Sequence, residues 1–465
     1  MPRTPETPAP IKHPGEETSN DVRRRLAAVE PHCLRTFTPS MAVLAKSAGS
    51  YHWTPEGRKL ADFSSGVLVM NLGHNPTRWW RRVKDYLGLH DLKNAGEFLP
   101  AVTLNAYNAV TEIETVCSER LVALIQKLPG GACCEQVLWA ASGSEAIQKA
   151  LWAALAYRPG ADILLSTRHG FHGKKGLAGA VTGSEADKER DPRVKFLSFP
   201  REECINVARR RQPIDLAPYQ AELDRLWQAH GSKICALITE PYLGGGGSFH
   251  PQKEYLQLLA RFCREHDILF ILDEVQANFG RTGSLFAFTQ YGVEPDIVVL
   301  GKGLGNGVAV SAAVGRTDVF ANLHYGEGSD TWSANPLASA AVLATLDEYE
   351  STDVLDRASE LSKTIERGLL RLTELPAVAN IRGEGVVWGV ECASVGNTPA
   401  DAVASECVRA CYLGDDQGRA IHLLGPLAGR VIRVSPPLVM PPAEAEEYLQ
   451  AMHQCFAAVA RRLAA

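Results

Sequence analysis

The middle of the chain alternates short apolar runs with amphipathic stretches. Ile234–Thr239 (ICALIT), Ile268–Leu272 (ILFIL), Ile297–Leu300 (IVVL) and Val308–Val314 have the pattern of strands buried on both faces. After the first comes the glycine run Gly244–Gly247. Pro251 then stands where the first turn of a helix tolerates proline, and Tyr255, Leu258, Leu259, Phe262 and Cys263 recur at helical spacing. Apolar strands separated by helices predict an α/β fold with a mostly parallel sheet covered on both sides. The two ends of the chain read differently. Tyr51–Phe63 has a hairpin pattern with Pro55 and Gly57 in the turn. A helix pattern over Ala340–Tyr349 opens a C-terminal portion that mixes strands, such as Val386–Val390 and Val431–Val434, with helices. The expected organisation is a proline-rich flexible tail over 1–20, a small domain from 21–85 and 340–465, and a large domain over 86–339.

Polar residues gather where these runs end, and in open α/β sheets ligands bind at the carboxyl ends of the strands. Glu240 follows the first run, Asp273, Glu274 and Gln276 the second, Gly301 and Lys302 the third. Three cofactor chemistries compete for this edge. An ATP site would use ILFILDE as a metal-binding strand end but needs a GxxxxGK[ST] loop, and neither Lys174 nor Lys302 stands in one. A dinucleotide site at Gly301–Gly307 fails GxGxxG, because Asn306 takes the sixth place. Pyridoxal phosphate (PLP) needs an imine-forming lysine, a carboxylate that keeps the pyridine nitrogen protonated, and phosphate donors. Lys302 and Asp273, 29 residues apart, supply the first two across one strand–helix–strand repeat. Ser142, Gly143, Ser144 and Glu145 precede an apolar-rich helical segment, Ala146–Tyr157. Free amides and a hydroxyl there suit an anion, although the same residues also read as an ordinary capping box.

With these residues in place, the chain resembles the class III (ω-amino-acid type) PLP-dependent aminotransferases of fold type I, over about residues 50–440. The resemblance rests on DFSSGVLVMNLGHNP (Asp62–Pro76), ASGSEA (Ala141–Ala146), GFHG (Gly170–Gly173), LDEVQANFGRTG (Leu272–Gly283), GKG (Gly301–Gly303), DTWSANPLAS (Asp330–Ser339) and VIRVSPPL (Val431–Leu438). It implies a role for each residue. Lys302 would carry the cofactor and shuttle a proton. Asp273 would meet the pyridine nitrogen and Gln276 the ring hydroxyl oxygen. Phe171 would stack on the ring, with His172 and Val275 beside it. Ser142, Gly143 and Ser144 would hold the phosphate, joined by Thr331 from a neighbouring subunit, hence a homodimer. Arg433 would bind a substrate α-carboxylate, with Val67, Tyr242 and Lys174 around it. Glu240 would support Gln276 or the pocket wall.

Two departures bear on the substrate. Many members carry EPIQGEGG where this chain has EPYLGGGG (Glu240–Gly247), so Gly245 replaces a glutamate thought to mask the carboxylate-binding arginine while an ω-amino group reacts. Its absence predicts that Arg433 stays unmasked or that another acid acts. Lys174 stands where GABA- and lysine-type members often have arginine, and a lysine lacks the guanidinium fork. The expected reaction moves an amino group from an amino acid or ω-amine (GABA, acetylornithine, ornithine, lysine or diamine type) to a keto acid such as 2-oxoglutarate or pyruvate. The alternatives are an aminomutase or decarboxylating transaminase of the same fold and, more remotely, a non-catalytic scaffold.

Composition narrows this by exclusion. Across 465 residues, 48 basic and 53 acidic side chains nearly balance, which argues against nucleic acid as a partner. The short basic clusters Arg23–Arg25, Arg81–Arg82 and Arg209–Arg211 read as solvated surface. No run approaches the length of a membrane span. The 11 cysteines lack zinc-type spacing, so no metal is expected, and they read as free thiols in a reducing cytoplasm.

Overall fold

The computed structural model describes residues 10–465 except 35, 92–95 and 188–189. Its centre is a seven-stranded sheet in the order Gln136–Ala140, Ser311–Gly315, Ile297–Leu300, Leu269–Asp273, Ile234–Thr239, Ile163–Thr167, Val194–Leu197. Only Ser311–Gly315 runs against the rest. The mostly parallel sheet is therefore present, with one reversed strand. That strand starts later than the apolar run suggested, because Val308 N–H closes a turn on the Gly305 carbonyl at 3.0 Å.

Alternation along the strands explains why both faces are apolar. Leu269 and Ile271, with Ile297 and Val299, pack on the side of the helix Gly143–Tyr157. Phe270 and Leu272, with Val298 and Leu300, point to the other side and join the large core that includes the helix Lys253–Glu265. Both faces being covered, the charged side chains of the central strands lie at their ends, while Ser166, Thr167 and Thr239 are buried on the strands with hydrogen-bond partners.

The predicted hairpin is formed by Tyr51–Trp53 and Lys59–Asp62, with Gly57 at φ 83° in the turn. Lys59–Asp62 also pairs in parallel with Ala420–His422, so the two ends of the chain share a sheet. A second small sheet pairs Val378–Glu384, Val387–Cys392 and Val431–Val434, with Arg433 opposite Gly389. The helix Pro336–Ser351 is longer at both ends than its pattern indicated.

The flexible tail expected over 1–20 is corrected for its second half; residues 1–9 lie outside those described. A helix begins at Glu17 and runs to Val29. His13, Glu16 and Ser19 are buried. Arg23, expected on the surface, is buried too: its Nη2 lies 2.7 Å from Glu16 Oε2 and 3.1 Å from Tyr412 Oη. The docking of this segment depends on Tyr412, far along the chain.

Candidate active site

Asp273 is the last residue of its strand. One carboxylate oxygen accepts the Val275 N–H at 3.0 Å, and the other lies 2.7 Å from His172 Nδ1. Lys302 stands just past the neighbouring strand, with φ 45°. The bend needs Gly301, since a Cβ there would fall 2.6 Å from Ser311 Oγ. Burial pulls the Lys302 amine down to about 8; Asp273 opposes the shift and Arg433 adds to it.

Glu240 follows the third of these strands and is buried. Its carboxylate accepts the backbone N–H of Phe171 at 2.9 Å and of Gly244 at 3.2 Å. Burial lifts it to about 7, with His172 opposing and Asp273 reinforcing. Glu240 lines the pocket wall beside Gln276 and, among the described residues, makes no hydrogen bond to it. Glu240 instead joins the loop bearing Phe171 to the glycine run.

The phosphate-cup segment opens the helix Gly143–Tyr157. Ser142 and Glu145 form a full capping box, so the Ser142 hydroxyl is turned to the helix's own N–H groups. Gly143 and Ser144 face a cavity of about 320 Å³. That space exists because Gly143 lacks a Cβ, which would sit 3.0 Å from Val275 Cγ1. Gly173, at φ 154°, could not carry one without meeting Ser144 Oγ at 2.1 Å. Phe171, His172, Lys174, Glu240, Asp273, Val275, Gln276 and Lys302 line the same cavity. Phe171 is 40% exposed at its rim.

The other predicted residues lie elsewhere. Thr331 is exposed and does not line the cavity that holds Lys302. Val67 and Arg433 line a second cavity. Tyr242 is buried and lies flat against His250, 4.2 Å between ring centres, with its hydroxyl unpartnered. Arg433 is adjacent to the first cavity through Gly244: its Nη2 donates to the Gly244 carbonyl at 2.7 Å, and a Cβ on Gly244 would lie 2.4 Å from Gln276 Oε1. Gly245 faces Phe171.

Sequence reasoning missed three supports. The His172–Asp273 contact joins residues 101 apart. Asp62, fully buried, accepts from Ser64 N (2.8 Å), Ser64 Oγ (2.7 Å), Ser65 N (3.2 Å) and pairs with His74 Nε2 (2.7 Å), thereby holding the segment that bears Val67. Arg281, equally buried, donates to Ser65 Oγ and Asn71 Oδ1 from the other side. The only early signal was that Asp62 and Arg281 lie inside recognised motifs.

The first cavity suits pyridoxal phosphate. It offers an amine, a strand-end carboxylate and a glycine-lined helix N-terminus, and among the described residues two buried polar atoms of its lining side chains, Gln276 Oε1 and His172 Nε2, have no hydrogen-bond partner.

Among the described residues, no helix is long and apolar enough to cross a membrane. A family profile for class-III aminotransferases matches residues 35–456. The acetylornithine aminotransferase of Agrobacterium fabrum is 30% identical over 437 residues, covering 92% of this chain and 97% of that protein. The omega-aminotransferase of Caulobacter vibrioides is 30% identical over 427 residues, covering 87% and 91%. A PLP-bound amine transaminase from an uncultivated Pseudomonas species superposes with a TM-score of 0.76 at 25% identity, covering 97% of this chain and 99% of that one. A matching profile over most of the length, on a mostly parallel sheet whose edge carries Lys302 and Asp273, makes this chain a member of the class-III, pyridoxal-phosphate-dependent aminotransferases.

Proposed function

We propose that Lys302 and Asp273 are the catalytic pair of this aminotransferase, acting on a cofactor held in the 320 Å³ cavity. The observation that carries this reading is the meeting of both side chains in one cavity from adjacent strand ends. When bound, PLP supplies an electron-withdrawing ring that takes up the charge left at the donor carbon and carries the amino group between substrates.

The chain's own residues do the rest. Lys302 Nζ is the attachment point. Held down to about 8, it is also able to take a proton from the donor carbon and return it near neutral pH. Asp273, steadied by His172 and Val275 N–H, keeps the ring nitrogen protonated. Gly143 and Ser144 hold the phosphate at the helix N-terminus, where backbone N–H groups and the helix dipole favour an anion. Val275 and Phe171 would flank the ring, and Gln276 would meet its hydroxyl oxygen. Arg433 takes the substrate carboxylate by a two-pronged ion pair.

The donor is an amino acid or an ω-amine and the acceptor a keto acid such as 2-oxoglutarate or pyruvate. The two relatives at 30% identity, one named for acetylornithine and one for omega-amino transfer, support that range. The working form is a homodimer in the cytoplasm. Thr331 is exposed beside Trp332, and Phe98, Val110 and Tyr325 also leave large apolar surface for a second copy. All 11 cysteines are free, which suits a reducing compartment.

The test is a half-reaction screen. Amino donors are mixed with the PLP form, and loss of the bound cofactor's visible absorbance is recorded. At least one donor class should discharge the colour, and Lys302→Ala should purify without it. Colour that survives Lys302→Ala, or that no amine discharges, refutes the reading.

A further inference from the structure

Arg433 lines a cavity of about 620 Å³, separate from the one that holds Lys302. Arg433 is 2% exposed. Among the described residues its single hydrogen-bond partner is the Gly244 carbonyl, and its Nε is buried with none. The carboxylate in its field, Glu240, is engaged by the N–H groups of Phe171 and Gly244. The Tyr242 hydroxyl, also in that field, is buried and unpartnered too. Away from Arg433 most of the described lining is apolar, with Leu26, Phe37, Leu44, Val67 and Leu423, and its polar side chains are Arg23, Thr36, Thr38 and His422. Among the described residues the lining holds no aspartate or glutamate, and Arg23 in it is already paired with Glu16 at 2.7 Å.

We propose that the amino donor is an apolar α-amino acid, its carboxylate on Arg433 and its side chain in the cavity bounded by Val67 and Leu423. The proposal rests on the aminotransferase reading above. A donor that presents a terminal amine has hydrogen where the carboxylate belongs, which leaves the buried guanidinium without a counter-charge. Gly245, which faces Phe171, offers no carboxylate to Arg433 in that state, and Glu240 is held by backbone N–H groups. Among the described residues, the cavity entered by the distal group of such a donor has no acid to meet an ammonium and, with Arg23 paired to Glu16, no unpaired arginine beyond Arg433 to meet a carboxylate. An apolar side chain of leucine size gains instead, by roughly ten- to a hundredfold in binding.

The experiment uses the full-length holoenzyme. Donor half-reactions are followed by loss of the bound cofactor's absorbance with L-leucine, L-phenylalanine, L-lysine and 4-aminobutyrate. In parallel, calorimetry measures binding of 4-methylpentanoate, a carboxylate with an apolar tail and no amine. Leucine or phenylalanine should exceed lysine and 4-aminobutyrate by about a hundredfold in rate constant over dissociation constant. 4-Methylpentanoate should bind, and Val67→Glu should weaken it about tenfold or more while shifting the donor preference towards lysine. Lysine or 4-aminobutyrate reacting as fast as leucine overturns the proposal and leaves the aminotransferase reading intact. So does a Val67→Glu variant that changes only the oligomeric mass in light scattering, which would make the cavity a subunit contact. If no donor reacts, the aminotransferase reading falls first, and the proposal with it.

Discussion

His172 Nδ1 lies 2.7 Å from Asp273 Oδ2, and both residues line the cavity that holds Lys302. The pair fixes the orientation of a carboxylate whose other oxygen is already tied to Val275 N–H. A hydrogen bond to a charged group contributes about 1.5–3 kcal/mol. His172→Ala should therefore weaken PLP binding to the apoenzyme roughly ten- to a hundredfold, read by the quench of protein fluorescence on titration. His172→Asn, which keeps a donor near the Nδ1 position, should recover most of the loss. An unchanged dissociation constant in His172→Ala would mean that the imidazole does not serve the site.

The Lys302 amine gives a pH signature. Its value near 8 means that the ammonium dominates below that pH. Covalent capture of added PLP, trapped with borohydride and located by peptide mass, should speed up about tenfold per pH unit below 8 and then level off. An ordinary lysine would keep accelerating to about 10.4. Stability carries the matching sign. The unfolded chain binds more protons than the folded one between about 8 and the usual lysine value, so the apoenzyme should gain stability as pH rises through that window. The thermal midpoint of Lys302→Met, relative to wild type, should fall over the same interval.

Much of this was legible in the sequence for a physical reason. Ile271 and Val299 face one core while Leu272 and Leu300 face the other, so the strands had to be apolar throughout, and polarity could return only at their ends. That is why Asp273, Glu240 and Lys302 stood out. Glu240 shows the limit. Its burial could be guessed, but its partners are backbone N–H groups of two loops, which no side-chain pattern records. Ser142 shows another: a helix cap and a phosphate site select the same residue type, and here the cap uses the acceptor side of the hydroxyl while its O–H stays available to donate. Arg23 looked like surface because Glu16, Tyr412 and the Met41 carbonyl are brought to it only by folding.

Gly173 offers a test of the phosphate end of the site that leaves the ionisable groups alone. Its φ of 154° and the 2.1 Å approach of a notional Cβ to Ser144 Oγ mean that Gly173→Ala must displace Ser144. PLP affinity should drop by about tenfold or more, from strain of roughly 1–3 kcal/mol at one backbone site. Gly160, also at positive φ but with open space around it, is the control: Gly160→Ala should carry the backbone cost without moving PLP affinity. Equal affinities in the two variants would show that Ser144 has no part in holding the cofactor.

The Glu16–Arg23 pair tests whether residues 10–29 belong to the folded body. Both side chains are almost wholly buried, and Arg58 and the Tyr412 hydroxyl also contact Glu16. Burial alone would push the Glu16 carboxyl up; the hydrogen bond from Arg23, with Tyr412 and Arg58, outweighs it and holds the group below its usual range. Removing one partner of a buried pair costs about 3–5 kcal/mol, because the other charge stays buried. Glu16→Ala should lower the urea midpoint accordingly, with an unchanged slope if the transition stays two-state. The sign with pH follows from a depressed carboxyl: the contribution of Glu16 is present above the unfolded carboxyl value of about 4.5 and is lost as pH falls below it. The gap between wild type and Glu16→Ala should then close at acid pH. Arg23 also lines the cavity with Val67 and Arg433, so the same variant should weaken 4-methylpentanoate binding more than PLP binding. A Glu16→Ala protein as stable as wild type at neutral pH would mean that this segment is held by something other than its ion pair.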